Sequence, residues 1–193
     1  CAKANTISGV QWTAMDPPLR ETMLVRGDID AITGFTFTSL LNLEARGAKV
    51  EDVVVMPYAD FGVKLYGNVI IASPKLIKEN PAAIKAFLSA FAKGAKEVMA
   101  YPAASIEFVK QRDGIINVPL ETRRLRMAID SVVASPDARK EGFGQINPAR
   151  MSLMASQVSD AFATKTRIDP AAVWNGSMLP SAAELNILPP AKK

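Results

Sequence analysis

The sequence predicts an α/β fold in two parts, a parallel βαβ sheet lobe over residues 1–72 and a mainly helical part over residues 73–193. Three observations predict it. Short β-branched runs alternate with helix-length segments before Ser73, and proline-opened amphipathic segments fill the remainder. The charge also changes sign between the parts, with 6 Lys+Arg against 8 Asp+Glu in residues 1–72 and 17 against 11 in residues 73–193. Parallel strands need a crossover, usually a helix, so strand–helix–strand–helix–strand order points to parallel pairing.

Taken in order, Val10–Ala14 is the first strand candidate, and Asp16-Pro17-Pro18 then supplies a cap and first-turn prolines for a helix through Leu19, Met23 and Leu24 to Gly27. Asp28–Thr33 is the second strand, and Thr36–Arg46 carries Leu40, Leu41 and Ala45 at helical spacing until Gly47 stops it. Val53–Met56 is the third strand, and Gly67–Ser73 is a buried strand or a crossing segment. Ser73-Pro74 opens a short helix. Asn80-Pro81 opens the most strongly patterned one, through Ile84, Phe87, Leu88, Phe91, Ala95, Val98 and Met99. Further helices start at Tyr101-Pro102, at Pro119 and at Asn147-Pro148, the last with Met151, Met154, Ala155, Val158 and Phe162 on one face. Asp169-Pro170 begins a short final turn.

With 193 residues, 49% hydrophobic content and 22% charge, the chain can bury a core, and every long apolar stretch is interrupted before it could span a bilayer. The single Cys1 excludes an intramolecular disulfide, and the absence of His removes the usual metal ligand and the common serine triad. No cofactor is expected. The segment Cys1–Asn5 reads as the end of an amphipathic helix entered partway, with a processed lipoprotein cysteine as the alternative. Positive charges are scattered between acids without a basic stripe, so no nucleic-acid partner is expected.

Gly142-Phe143-Gly144 lacks a preceding strand and a following Lys-Ser/Thr, and reads as a turn. Asn175-Gly176-Ser177 matches a glycosylation sequon and also reads as a turn. Ligands of open parallel sheets sit beyond the carboxyl ends of the strands. Those ends hold Asp16, then Thr33, Gly34, Phe35 and Thr36, then Tyr58, Asp60 and Phe61. Aromatic walls and carboxylates at one edge suit a flat ligand that donates hydrogen bonds, such as a nitrogen heterocycle.

The runs LVRGDIDAITGF (24–35), GVKLYGNVIIASPKLIKENPAAIKAFLSAFAKGAKEV (62–98) and PAASIEFVKQRD (102–113), with RMAIDSVV (126–133) and FGQINPARM (143–151), carry a resemblance. The chain resembles the NMT1/THI5-like group of periplasmic solute-binding proteins, which serve ABC importers of nitrate, sulfonates, taurine and thiamine precursors. The resemblance implies a type II periplasmic-binding-protein fold of two α/β lobes, a small-molecule ligand in their cleft, an ABC permease as partner and a periplasmic or membrane-associated location. It also implies that the chain corresponds to the C-terminal portion, with the first lobe missing, so that helices beyond Ser73 lose their cover and a homodimer results. No catalysis is expected. The alternatives are an enzyme of the pyrimidine-synthase type, which shares that fold, and a truncated interaction module.

Overall fold

Helix starts in this chain are written as a capping side chain followed by proline, a pair that satisfies one orphan N–H and presets the backbone of the first turn. The computed structural model describes residues 8–189 and shows the device repeatedly. Ser73 caps α3 (Pro74–Glu79), Asn80 caps α4 (Pro81–Ala100), Asn147 caps α8 (Pro148–Ala161) and Asp169 caps α9 (Pro170–Val173), each through a side-chain oxygen. Asn117 caps α6 (Val118–Ala128) and Ser135 caps α7 (Pro136–Glu141) in the same way. Between them, α5 (Pro102–Arg112) starts without a side-chain cap, and α10 (Ala182–Leu185) starts at a reciprocal Ser181–Glu184 capping box.

The predicted sheet is absent. The described residues are 59% helical and include no strand, which corrects the α/β, type II periplasmic-binding-protein-like expectation. Val10–Ala14, Asp28–Thr33, Val53–Met56 and Gly67–Ser73 are irregular segments, and Val54 and Ile71 stand 85% and 86% exposed. The physical reason lies in what β-branched residues encode. They fit a pleated, half-buried surface, and without ladder partners their propensity cannot hold a strand.

The chain divides between Gly62 and Val63 into two compact units. In the first, α1 (Arg20–Arg26) packs on α2 (Thr36–Ala45). Both helices end on glycine in the left-handed region, Gly27 at φ 75° and Gly47 at φ 90°. The two following amides close each end, Asp28 N–H donating to the Met23 carbonyl and Ala48 N–H to that of Leu43. Leu41 and Leu43 are the buried apolar side chains of this unit among the described residues. The face that α1 turns inward carries Glu21, 1% exposed, whereas Leu19 of the expected apolar stripe is exposed.

In the second unit, α4 packs on α3, α5 and α10, and α5 packs on α6. Ile84, Ala92, Ile106, Leu185 and Ile187 are buried there, as are Met151 and Ala155 four residues apart on α8. Arg150 ties the extended segment before α3 to α8. Its Nε donates to the Lys64 carbonyl at 3.1 Å and its Nη2 to the Leu65 carbonyl at 2.7 Å, while Nη1 meets Asp137 at 2.7 Å. The guanidinium also lies 4.3 Å from the centre of the Tyr66 ring, and the Tyr66 hydroxyl accepts from Asn147 N–H at 2.7 Å.

The short α10 is fastened to α4 through one carboxylate. The Ser89 hydroxyl donates to Glu184 at 2.5 Å, and Ser181 donates to it through both its hydroxyl and its N–H. These bonds, that of Ser89 foremost, hold the Glu184 carboxyl below the usual carboxylate range. A depressed folded value means that the contribution is complete above the unfolded pKa of about 4.3 and is lost as pH falls through the lowered folded value. Amide exchange at Leu185 and Ile187 is therefore expected to quicken as pH falls below that range, after correction for intrinsic rates, and Glu184→Gln is expected to flatten the dependence.

Candidate functional site

Three loops were expected to meet at the ends of three strands, and two of them share a residue in the structure. Arg20 donates from Nη1 to the Thr33 carbonyl at 2.6 Å and from Nε to the Pro17 carbonyl at 3.3 Å. It thereby links the turn after Asp16 to the loop Thr33–Gly34–Phe35–Thr36. Gly34 lies so close to Ser39 Oγ that a Cβ there would clash. Phe35 stacks on Phe37 at 5.2 Å and remains half exposed, and Thr36 begins α2. Asp16 is exposed at the start of a 3₁₀ turn (Pro17–Leu19) and makes no side-chain cap bond.

Tyr58, Asp60 and Phe61 sit on their own 3₁₀ turn (Tyr58–Phe61), exposed to solvent. Among the described residues, no side-chain hydrogen bond or ring stacking joins them to Asp16, Thr33 or Phe35. A sheet is what aligns strand ends, and without one nothing in the backbone pattern draws this third loop to the other two. Behind the Arg20 link, Glu21 Oε1 and Ser39 Oγ are buried acceptors without a hydrogen-bond partner. Such groups cost stability, which marks this corner as polar and imperfectly closed.

The motifs read as turns have that role. Phe143 N–H donates to the Leu185 carbonyl while Gly142 and Gly144 take positive φ, and Asn175 Oδ1 accepts from both the N–H and the hydroxyl of Ser177. Asp28 pairs with Arg26 on the surface at 3.1 Å. The reading of Cys1–Asn5 lies outside the described residues.

The second unit carries two features that the sequence reading did not single out as sites. The first is an aromatic ladder. Phe87 and Phe91, one turn apart on α4, stack at 6.2 Å, and Phe91 stacks on Phe143 at 6.2 Å with an interplanar angle of 11°. Phe87 is 56% exposed and Phe91 46%, while Ile84 and Ala92 of the same helix are buried. The second is a cleft of about 300 Å³ beside the π-helical turn Ile129–Val133, where α4, α6 and the segment after α10 meet. The spacing of Arg126, Asp130 and Arg139 was the available signal for it, but the extra residue of a π turn has no sequence signature of its own. Among the described residues, no group of His, Cys, Asp and Glu side chains is placed to hold a metal ion, and no helix is long and apolar enough to cross a membrane.

A family model described as NMT1/THI5 like matches residues 4–105, 102 of the 193 residues. No curated protein and no solved structure matches the chain. The match agrees with the resemblance in sequence, but the architecture is not of that fold. The expectation of a periplasmic solute-binding component of an ABC transporter is corrected with it, since such a protein holds its ligand between sheet lobes and the described residues are helical with no strand in either unit.

Proposed function

The chain belongs to the NMT1/THI5-like family, and on that premise we propose that it works by binding, as a helical interaction module that pairs with a second copy of itself. The observation that carries this reading is the aromatic ladder in which exposed Phe87 and Phe91 stack on half-buried Phe143. Contiguous exposed apolar surface marks an interface, and aromatic side chains supply large contact area at small conformational cost. A two-fold axis through α4 sets Phe87 of one copy beside Phe91 of the other, so one patch supplies both sides of an isologous contact. Binding without chemistry is supported by a sequence that has no His and one Cys. A periplasmic location belongs to the same proposal, supported by the resemblance, and cell fractionation tests it.

Light scattering at micromolar concentration is expected to give twice the chain mass of 20.7 kDa. Phe87→Ser combined with Phe91→Ser is expected to return it to the monomer with its helical circular dichroism unchanged, because both rings already face solvent. A monomeric parent chain would refute the pairing, as would a double variant that remains dimeric.

A further inference from the structure

The cleft beside the π-helical turn is built differently from the aromatic face. Helix α6 is continued by Ile129–Val133, where the Ala134 N–H reaches back five residues to the Ile129 carbonyl at 2.7 Å. The wider turn adds a residue to the helical path and re-aims the side chains that follow it, a distortion often found at functional sites. Apolar walls come from Met99, Ile129 and Leu188, and charged groups come from Arg126, Asp130 and Arg139. Arg139 is anchored, its Nη1 donating to the Pro189 carbonyl at 3.2 Å.

Arg126 and Asp130 stand four residues apart, a spacing at which opposite charges on a regular helix normally pair. Here they do not pair, and neither side chain has a hydrogen-bond or ion-pair partner among the described residues. Two unpaired charges of opposite sign therefore share one cleft with apolar walls. At about 300 Å³ it lies at the small end of ligand sites, which limits the occupant to a compact molecule.

We propose that this cleft binds a small zwitterion with an apolar body, of the chemical class of an aliphatic α-amino acid. The guanidinium of Arg126, with Arg139 beside it, takes the carboxylate, and a planar donor fork suits that group. Asp130 takes the ammonium. Met99, Ile129 and Leu188 cover the aliphatic chain. This assignment does not depend on self-association through α4.

The test uses L-leucine and its two half-ligands, 4-methylpentanoate, which lacks the ammonium, and 3-methylbutylamine, which lacks the carboxylate. Binding is followed by calorimetry and by amide shifts. Leucine is expected to bind about tenfold or more tighter than either half-ligand, the scale of one lost charge-assisted hydrogen bond. Arg126→Gln is expected to weaken leucine and 4-methylpentanoate alike by about tenfold. Asp130→Asn is expected to weaken leucine to a similar degree while leaving 4-methylpentanoate unchanged or tighter. Both variants alter exposed side chains without partners, and circular dichroism confirms that they fold. The assignment is overturned if leucine fails to bind up to about 10 mM, if the three probes bind equally, or if leucine shifts amides away from Met99, Ile129 and Leu188.

Discussion

Arg150→Ala is expected to lower the stability of the unit that begins at Val63 by about 3 kcal/mol. Four partners from two segments depend on this guanidinium: the carbonyls of Lys64 and Leu65 and the Tyr66 ring from one, and the Asp137 carboxylate from the other. The carbonyl bonds dominate. The Asp137 side chain is 51% exposed and the Arg150 side chain 26%, so water screens the ion pair, and pairs of that kind contribute at most about 1 kcal/mol. Each carbonyl bond to a charged donor contributes about 1.5–3 kcal/mol, although the two share one donor group and do not add in full. Asp137→Ala should therefore cost far less than Arg150→Ala. Arg150→Lys should recover only part of the loss, because an ammonium cannot reproduce the fork that reaches two successive carbonyls. Urea unfolding checks all three, with a midpoint for Arg150→Ala lower by on the order of 1–2 M.

Leu41→Ala is expected to unfold α1 and α2 under conditions in which the parent chain keeps them. Leu41 is fully buried at 0% exposure, and a buried Leu→Ala change costs about 2–5 kcal/mol. A unit of about 60 residues has only some 3–9 kcal/mol to lose at the usual stability per residue. The buried Glu21 and Ser39 oxygens without partners place this unit toward the low end. Amide exchange reads the result, as loss of protection in residues 20–26 and 36–45. Leu41→Met, which conserves volume, should keep most of that protection, at a cost below about 1.5 kcal/mol. Equal protection in Leu41→Ala and the parent would show that the α1–α2 contact is not what holds this unit.

How far the sequence could be read follows from how local each signal is. Asn80-Pro81 and Asn147-Pro148 mark helix starts because cap and proline act within one turn, and α4 and α8 begin there. Gly27 and Gly47 mark helix ends for the same reason. The sheet was inferred from Val53–Met56 and its counterparts, yet a strand exists only in relation to another strand, and no residue inside the run encodes whether that neighbour arrives. Helical spacing placed Phe87 and Phe91 with Ile84 on one broad apolar face, but periodicity cannot say which half of a broad stripe is covered. Arg150 was hidden for a different reason. Its partners Lys64 and Leu65 lie more than 80 positions away, and a lone arginine early in a helix carries no mark of them. Among the expected site residues, the turn after Asp16 and the loop from Thr33 to Thr36 are joined by Arg20 through the Pro17 and Thr33 carbonyls, and a single arginine at the start of a short helix carries no mark of that link.

The irregular run Val53–Met56 has a consequence for the behaviour of the chain at high concentration. Its backbone lies outside any ladder, and Val54, Val55 and Met56 are exposed, so it resembles the adhesive segments from which intermolecular cross-β stacks grow. The flanking residues act as gatekeepers. Glu51 and Asp52 place two negative charges at one end, and Pro57 at the other lacks the N–H that the next ladder step would require. The sticky stretch is thereby limited to four residues, shorter than the six or seven from which stable zippers are assembled.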